Sequence, residues 1–227
     1  MNKYLLLCAL AALAACTRSE FVNTTTPAAA ITPAKVNVPA GAYTLDKAHS
    51  TITFHLHHMG FSQYVARFVT FDTQLQFDPA NLAASTLAVN IDPHSLDLNN
   101  PPEGFKDSLL GPDWLDAAKY PQMTFRSTAI ELTGPTTMRV NGDLTLHGVT
   151  HPVTLDTTFN GGYAGQPMDP HARIGFSAQG SFKRSDFGIS AGIPAPGTTM
   201  GVGDTVNVQI EMELSGPPLA TTPATQG

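Results

Sequence analysis

Cysteine is the first thing this chain runs short of. Its 227 residues include two, Cys8 and Cys16, and both stand ahead of any segment that reads as folded. The folded part is therefore expected to hold neither a disulfide nor a thiol nucleophile. Charge is sparse as well, at 13% of residues, with a formal net charge of −6 and no basic run. That balance argues against nucleic acid as a partner. No stretch reads as G-x-G-x-x-G or as a P-loop, and Gly197-Thr198-Thr199-Met200-Gly201 is a loop rather than a phosphate cradle. Ser62, Ser185 and Ser190 lack the G-x-S-x-G setting of an exposed nucleophile. Nothing in the sequence points to catalysis, so the chain is expected not to be an enzyme. What it has in quantity is glycine (19) and proline (18), a composition of strands and turns rather than long helices.

The start of the chain reads as a targeting segment. Met1-Asn2-Lys3 is a short positive region, and the apolar run from Tyr4 to Ala12 is too short to span a bilayer. Leu13-Ala14-Ala15-Cys16 resembles the lipobox of bacterial lipoproteins, in which cleavage precedes the cysteine and its sulfur receives diacylglycerol. Residues 1–15 are thus expected to be a signal peptide and Cys16 a lipidated N-terminus, with palmitate among its acyl chains. Thr17 follows where an Asp would suggest inner-membrane retention, which points to the outer membrane, facing the periplasm. Residues 16–40, rich in Thr, Ala and Pro, read as a linker. As a flexible coil, the 24 residues from Thr17 to Ala40 span roughly 27 Å.

From Tyr43 onward the pattern has period two. Ile52, Phe54, Leu56 and His58 alternate with Thr51, Thr53, His55 and His57. Between Tyr64 and Phe77 the alternation slips once, which predicts a bulge or corner. Leu87, Val89 and Ile91 mark the next strand, and Met123 and Phe125 open another that reaches Leu132. The alternating runs either side of His147-Gly148 read as a hairpin, with Pro152 tolerated near the start of the returning strand. Ile174, Phe176, Ala178, Gly180 and Phe182 follow, with bends expected at Gly175 and Gly180. The last strand is the cleanest, its inward set Val206, Val208, Ile210, Met212 and Leu214 and its outward set including Gln209 and Glu211. Only Pro101 to Ala118 departs from period two. Phe105, Leu109 and Leu110 make one face of a short helix there, and Trp114-Leu115 a second turn, packed across one barrel end. About eight strands joined by short turns suit an all-β, eight-stranded antiparallel barrel over residues 41–215, with a two-sheet sandwich as the alternative. Residues 216–227 read as a disordered tail.

Four stretches resemble landmarks of the YceI family, polyisoprenoid-binding periplasmic proteins with a lipocalin-like barrel. They are Tyr43-x-Leu45-Asp46-x-x-His49-Ser50, Lys119-Tyr120-Pro121-x-Met123-Thr124-Phe125, Leu144-Thr145-Leu146-His147-Gly148-Val149-Thr150-x-Pro152-Val153 and Arg184-Ser185-Asp186-Phe187-Gly188. Two positions depart from that family. Ala66 stands where it usually has Gly, and Phe105-Lys106-Asp107 stands where it usually has Arg-Asp.

The resemblance implies a non-catalytic carrier for an isoprenoid lipid, either a polyprenyl phosphate or a quinone, with no other cofactor and with a homodimer as an option. Its expected ligand wall is Phe54, Leu56, His58, Phe68, Phe125, Phe176, Phe182, Arg184, Val206, Val208, Ile210 and Met212. Arg184 and Asp186 have two readings. As a functional pair they meet an oxygen of the ligand head at the barrel mouth, and as a structural pair they hold the loop Gly188 to Gly203. His55 and His57 share a strand face and suit a transition metal, but read better as solvated surface residues. His58 is expected as a hydrogen-bonded core histidine, and His147 and His151 as turn residues. Two other readings stand beside the carrier, a periplasmic metal- or haem-handling protein and a stress-related lipoprotein with a filled barrel.

Overall fold

A computed structural model describes residues 31–219. The expected signal peptide, Cys16, the first part of the linker and residues 220–227 lie outside the described residues. Within them run β1 (Gly41–Leu45), β2 (Thr51–His58), β3 (Ser62–Phe68), β4 (Phe71–Phe77), β5 (Thr86–Ile91), β6 (Leu96–Leu98), α1 (Phe105–Leu110), β7 (Met123–Leu132), β8 (Thr137–Leu146), β9 (Val149–Tyr163), β10 (His171–Lys183) and β11 (Thr205–Pro218).

Pairing condenses these eleven strands to eight. β11 pairs with β1 through Leu214 and Leu45 and with β2 through Ile210 and Ile52, so β1 and β2 are halves of one strand bent at residues 46–50. β3 and β4 are likewise halves of a second strand, paired along β1 and β2 on one side, and on the other along β5 and β6, which are the halves of a third. The bends lie at one level: Asp92 N donates to Thr70 O at 3.0 Å and Val69 N to Ser95 O at 3.2 Å. The expected slip between Phe68 and Phe71 is this corner. β5, β7, β8, β9, β10 and β11 then pair in succession, antiparallel throughout, and β11 returns to β1 and β2. The result is a closed eight-stranded antiparallel barrel. A sandwich of two facing sheets would leave unpaired edges, whereas here the ladder closes on itself.

Local chemistry explains the landmarks. His147 and Gly148 have φ of 53° and 75°, the two successive left-handed residues of a tight hairpin turn. A side chain at Gly148 would run into the Tyr120 ring. His147, unusual at positive φ, is held by a 3.1 Å hydrogen bond between its Nδ1 and Phe187 O and packs edge-on to Tyr120. Three landmark stretches therefore meet at one end of the barrel. The fourth locks the seam between the first and last strands. Ser50 Oγ donates to Glu213 O at 3.2 Å and accepts from Glu213 N at 3.0 Å, replacing ladder bonds where the strand bends. Asp46 caps the bend through Ala48 N and forms an ion pair with Arg173 of β10.

Several boundaries need correction. The last strand continues through Pro218 instead of ending at 215, because it stays paired with β10 as far as His171 opposite Pro218, and Gly216 leaves room for the Tyr43 ring. The linker is also part of the fold before residue 41. Val36 and Val38 pack on the core, and Ala34 N donates to Pro135 O at 2.8 Å. The helical excursion is as expected, a short α1 followed by turns through Trp114 and Leu115.

Candidate functional site

Alternation along each strand sends every second side chain inward, and in an eight-stranded ring those side chains need not fill the centre. Here they leave a cavity of about 610 Å³. All twelve residues expected to form the ligand wall line it: Phe54, Leu56, His58, Phe68, Phe125, Phe176, Phe182, Arg184, Val206, Val208, Ile210 and Met212. Phe54, Leu56, Phe176, Phe182, Val208 and Ile210 face inward yet are only half-buried, since each borders empty space rather than an opposing side chain. At the corner, by contrast, Phe71 lies off the cavity wall and is buried outright.

Aromatic rings close one end. Phe77 lies 5.8 Å from Tyr43, 6.1 Å from Phe159 and 6.2 Å from Phe176, centroid to centroid. Tyr43 donates its hydroxyl to Pro39 O at 2.8 Å, and burial raises its pKa. Around the other end stand Asn99, Pro101, Phe105, Leu109 and Trp114 from the segment between β6 and β7, with Ile189 and Val202 from the β10–β11 connection.

Among the described residues, Arg184 is the one charged side chain on this wall, and it is 3% exposed. Its Nε donates to Gly203 O at 3.0 Å, Nη1 to Ile189 O at 3.1 Å and Nη2 to Val202 O at 2.8 Å. The guanidinium also sits 4.9 Å from the Trp114 ring centroid. No carboxylate among the described residues pairs with it directly, and burial lowers its pKa, partly offset by the charge of Asp204. A guanidinium has five N–H donors, so donors remain for a further acceptor. Arg184 does hold the Gly188–Gly203 loop, but Asp186 is not its partner and is exposed. The aspartate that ties this loop is Asp204, which accepts from both the backbone N and the hydroxyl of Ser185 at 2.9 Å.

His58 corrects a second expectation. It is exposed at the end of β2, with its ring 6.4 Å from that of Tyr64, because the strand runs past the core to the cavity rim. His57 shares a hydrogen bond with Gln63 on the outer face. Among the described residues, the His and carboxylate groups that converge are Asp46, His49 and Glu213, on the seam and off the cavity wall. Asp46 there is engaged by Arg173 and then His49, which together hold its pKa down at about 2.

Several wall residues were not singled out from the sequence. Leu87, Val89, Leu144 and Ala178 lie at inward positions of recognised strands, so strict parity would have found them. Phe105 and Trp114 were expected across one barrel end but not as part of the wall, and the structure brings both to the opening, where they line the cavity. Of the two departures, Ala66 puts a single methyl on the wall, and Phe105 reaches the mouth itself.

Residues 43–214 match the model of the YceI-like domain. A UPF0312 protein of Vibrio cholerae is 36% identical over 186 residues, covering 79% of this chain and 92% of that one. The crystal structure of Burkholderia cenocepacia BcnA aligns with a TM-score of 0.62 at 31% identity, over 74% of this chain and 98% of its own. A polyisoprenoid binding domain from Saccharophagus degradans shares the fold at 16% identity, with a TM-score of 0.54 over 79% of this chain and all of that one.

Proposed function

The chain belongs to the YceI-like domain family, and from that premise we propose that it is a non-catalytic carrier holding an isoprenoid lipid in its barrel. The observation that carries this reading is the cavity: about 610 Å³, walled mostly by apolar side chains that border empty space. A filled barrel would leave no such space. The fold-sharing domain from Saccharophagus degradans, described as polyisoprenoid binding, supports the choice of ligand class. At roughly 30 Å³ per water-sized group, the volume takes about twenty methylene-sized groups, or about four isoprene units. A longer chain folds back on itself or leaves a tail outside.

The ligand head belongs at Arg184, whose remaining N–H donors suit a phosphate or a quinone oxygen. Direct burial from water would give about 0.8 kcal/mol per CH₂, and a long chain would exceed any non-covalent affinity. The ligand starts in a bilayer, however, already out of water. Transfer into an apolar barrel is then close to neutral in its hydrophobic part, which makes the protein an exchanger rather than a trap. Anchoring through Cys16 at the periplasmic face of the outer membrane would keep the barrel beside its source.

Native mass spectrometry of the protein purified gently from its own host tests the reading. A bound mass that fragments as an isoprenoid quinone or polyprenyl phosphate is expected. Protein that is ligand-free at every extraction condition would refute it.

A further inference from the structure

If the barrel exchanges lipid with a bilayer, the outside of its mouth matters as much as the wall. Two loops frame that mouth and are pinned to each other. Met59 N donates to Gly201 O, and Gly203 N to His57 O, both at 2.7 Å, while His58 and Val202 form an isolated β-bridge. Arg184 fixes the second loop from within through Ile189, Val202 and Gly203. On these fixed loops Phe61 is 80% exposed and Met200 60% exposed, with Phe105 at 38% on the neighbouring segment. Neither loop carries charge. Met59–Ala66 and Phe187–Gly203 contain no Asp, Glu, Lys, Arg or His.

Two large apolar side chains held in water on rigid, uncharged loops gain nothing from the fold, so their partner lies outside it. A protein partner would normally meet a polar, partly charged rim. The acyl boundary of a bilayer accepts apolar side chains and excludes charge, and these loops run directly into an apolar cavity. We infer that the mouth is a bilayer-docking face, with Phe61 and Met200 inserting at the headgroup–acyl boundary so that lipid enters without crossing water. Glu103, Lys106 and Asp107 flank Phe105, which places that residue at the margin of the contact. The purpose of docking rests on the carrier reading, but contact itself is measurable without ligand.

Trp114, the only tryptophan in the sequence, lines the mouth and reports on it. The full-length protein, a Phe61→Ser/Met200→Ser variant and a Met168→Ser variant are each reconstituted into isoprenoid-free vesicles of phosphatidylcholine brominated on its acyl chains. Met168 serves as control, being 94% exposed but set beside Asp169 on the hairpin between β9 and β10. Bromine is expected to quench Trp114 in the wild type and in Met168→Ser, and the double variant is expected to lose most of that quenching with an unchanged circular dichroism spectrum. Equal quenching in all three proteins, or none in the wild type, overturns the docking face. Rim-dependent quenching in a protein that never holds an isoprenoid keeps the docking face and removes the carrier reading.

Discussion

Asp46 and Gly148 show how much of this fold is set by single side chains. Asp46 bridges the strand bend to Arg173 of β10, and that guanidinium first, with His49 second, holds its carboxyl at about pH 2 against an ordinary 3.8. A depressed folded-state pKa stabilises above the unfolded value and loses its contribution as pH falls through the folded one. The ion pair should therefore support the barrel fully above about pH 4 and fade towards pH 2. Thermal melts across that window should show Asp46→Asn less stable than wild type at neutral pH, with the gap narrowing in acid. A gap independent of pH would show that the pair carries no weight. Gly148 combines a left-handed φ of 75° with the Tyr120 ring over its open face. Gly148→Ala should cost about 1–3 kcal/mol from backbone strain alone, read as a lower denaturation midpoint with unchanged slope.

The element that stands apart is the segment from Pro102 to Tyr120, which carries α1. Among the described residues its backbone bonds are internal: Phe105 N to Pro102 O, Trp114 N to Gly111 O, Ala117 N to Leu110 O and Tyr120 N to Asp116 O. Leu109, Leu110, Trp114 and Leu115 hold it to the barrel by packing, with the Arg184 guanidinium over Trp114 and Tyr120 edge-on to His147. Opening it breaks no hydrogen bond to a strand, so its amides should exchange with deuterium at lower protection than those of β7 to β11. Uniform protection would contradict this. The same contrast explains what the sequence could reveal. Strands announce themselves because Val206 to Leu214 alternate strictly, and the corner at Val69-Thr70 shows as one slipped period. The register of the mouth segment, the exposure of His58 and the choice of Asp204 over Asp186 depend on contacts between loops far apart in the chain, and no local period encodes them. Val36 and Val38 were hidden by a Pro- and Ala-rich neighbourhood that reads as linker.

At the scale of the whole molecule, two claims remain to be separated, where the barrel sits and what it holds. Placement rests on Cys16. Cys16→Ala should release soluble protein or leave an unprocessed precursor, since stable anchoring needs two or more acyl chains, and membrane-bound wild type with an unmodified Cys16 would contradict the anchor. Occupancy is tested inside the barrel. Val208 faces the cavity, flanked by Phe54 on β2 and Gly180 on β10, while Glu211 points outward beside Ser177. A bulky residue at 208 meets ligand space before it meets packed side chains. In a filled core it would instead be overpacking, at about 1–3 kcal/mol with no ligand to lose. The most direct measurement is the isoprenoid content per mole of wild type, Val208→Trp and Glu211→Gln, extracted from protein purified from the same host. Near-stoichiometric lipid in wild type and Glu211→Gln, with a clear loss in a still-folded Val208→Trp, is the predicted result; a wild type that never holds lipid, beside a Val208→Trp that only loses stability, would contradict it.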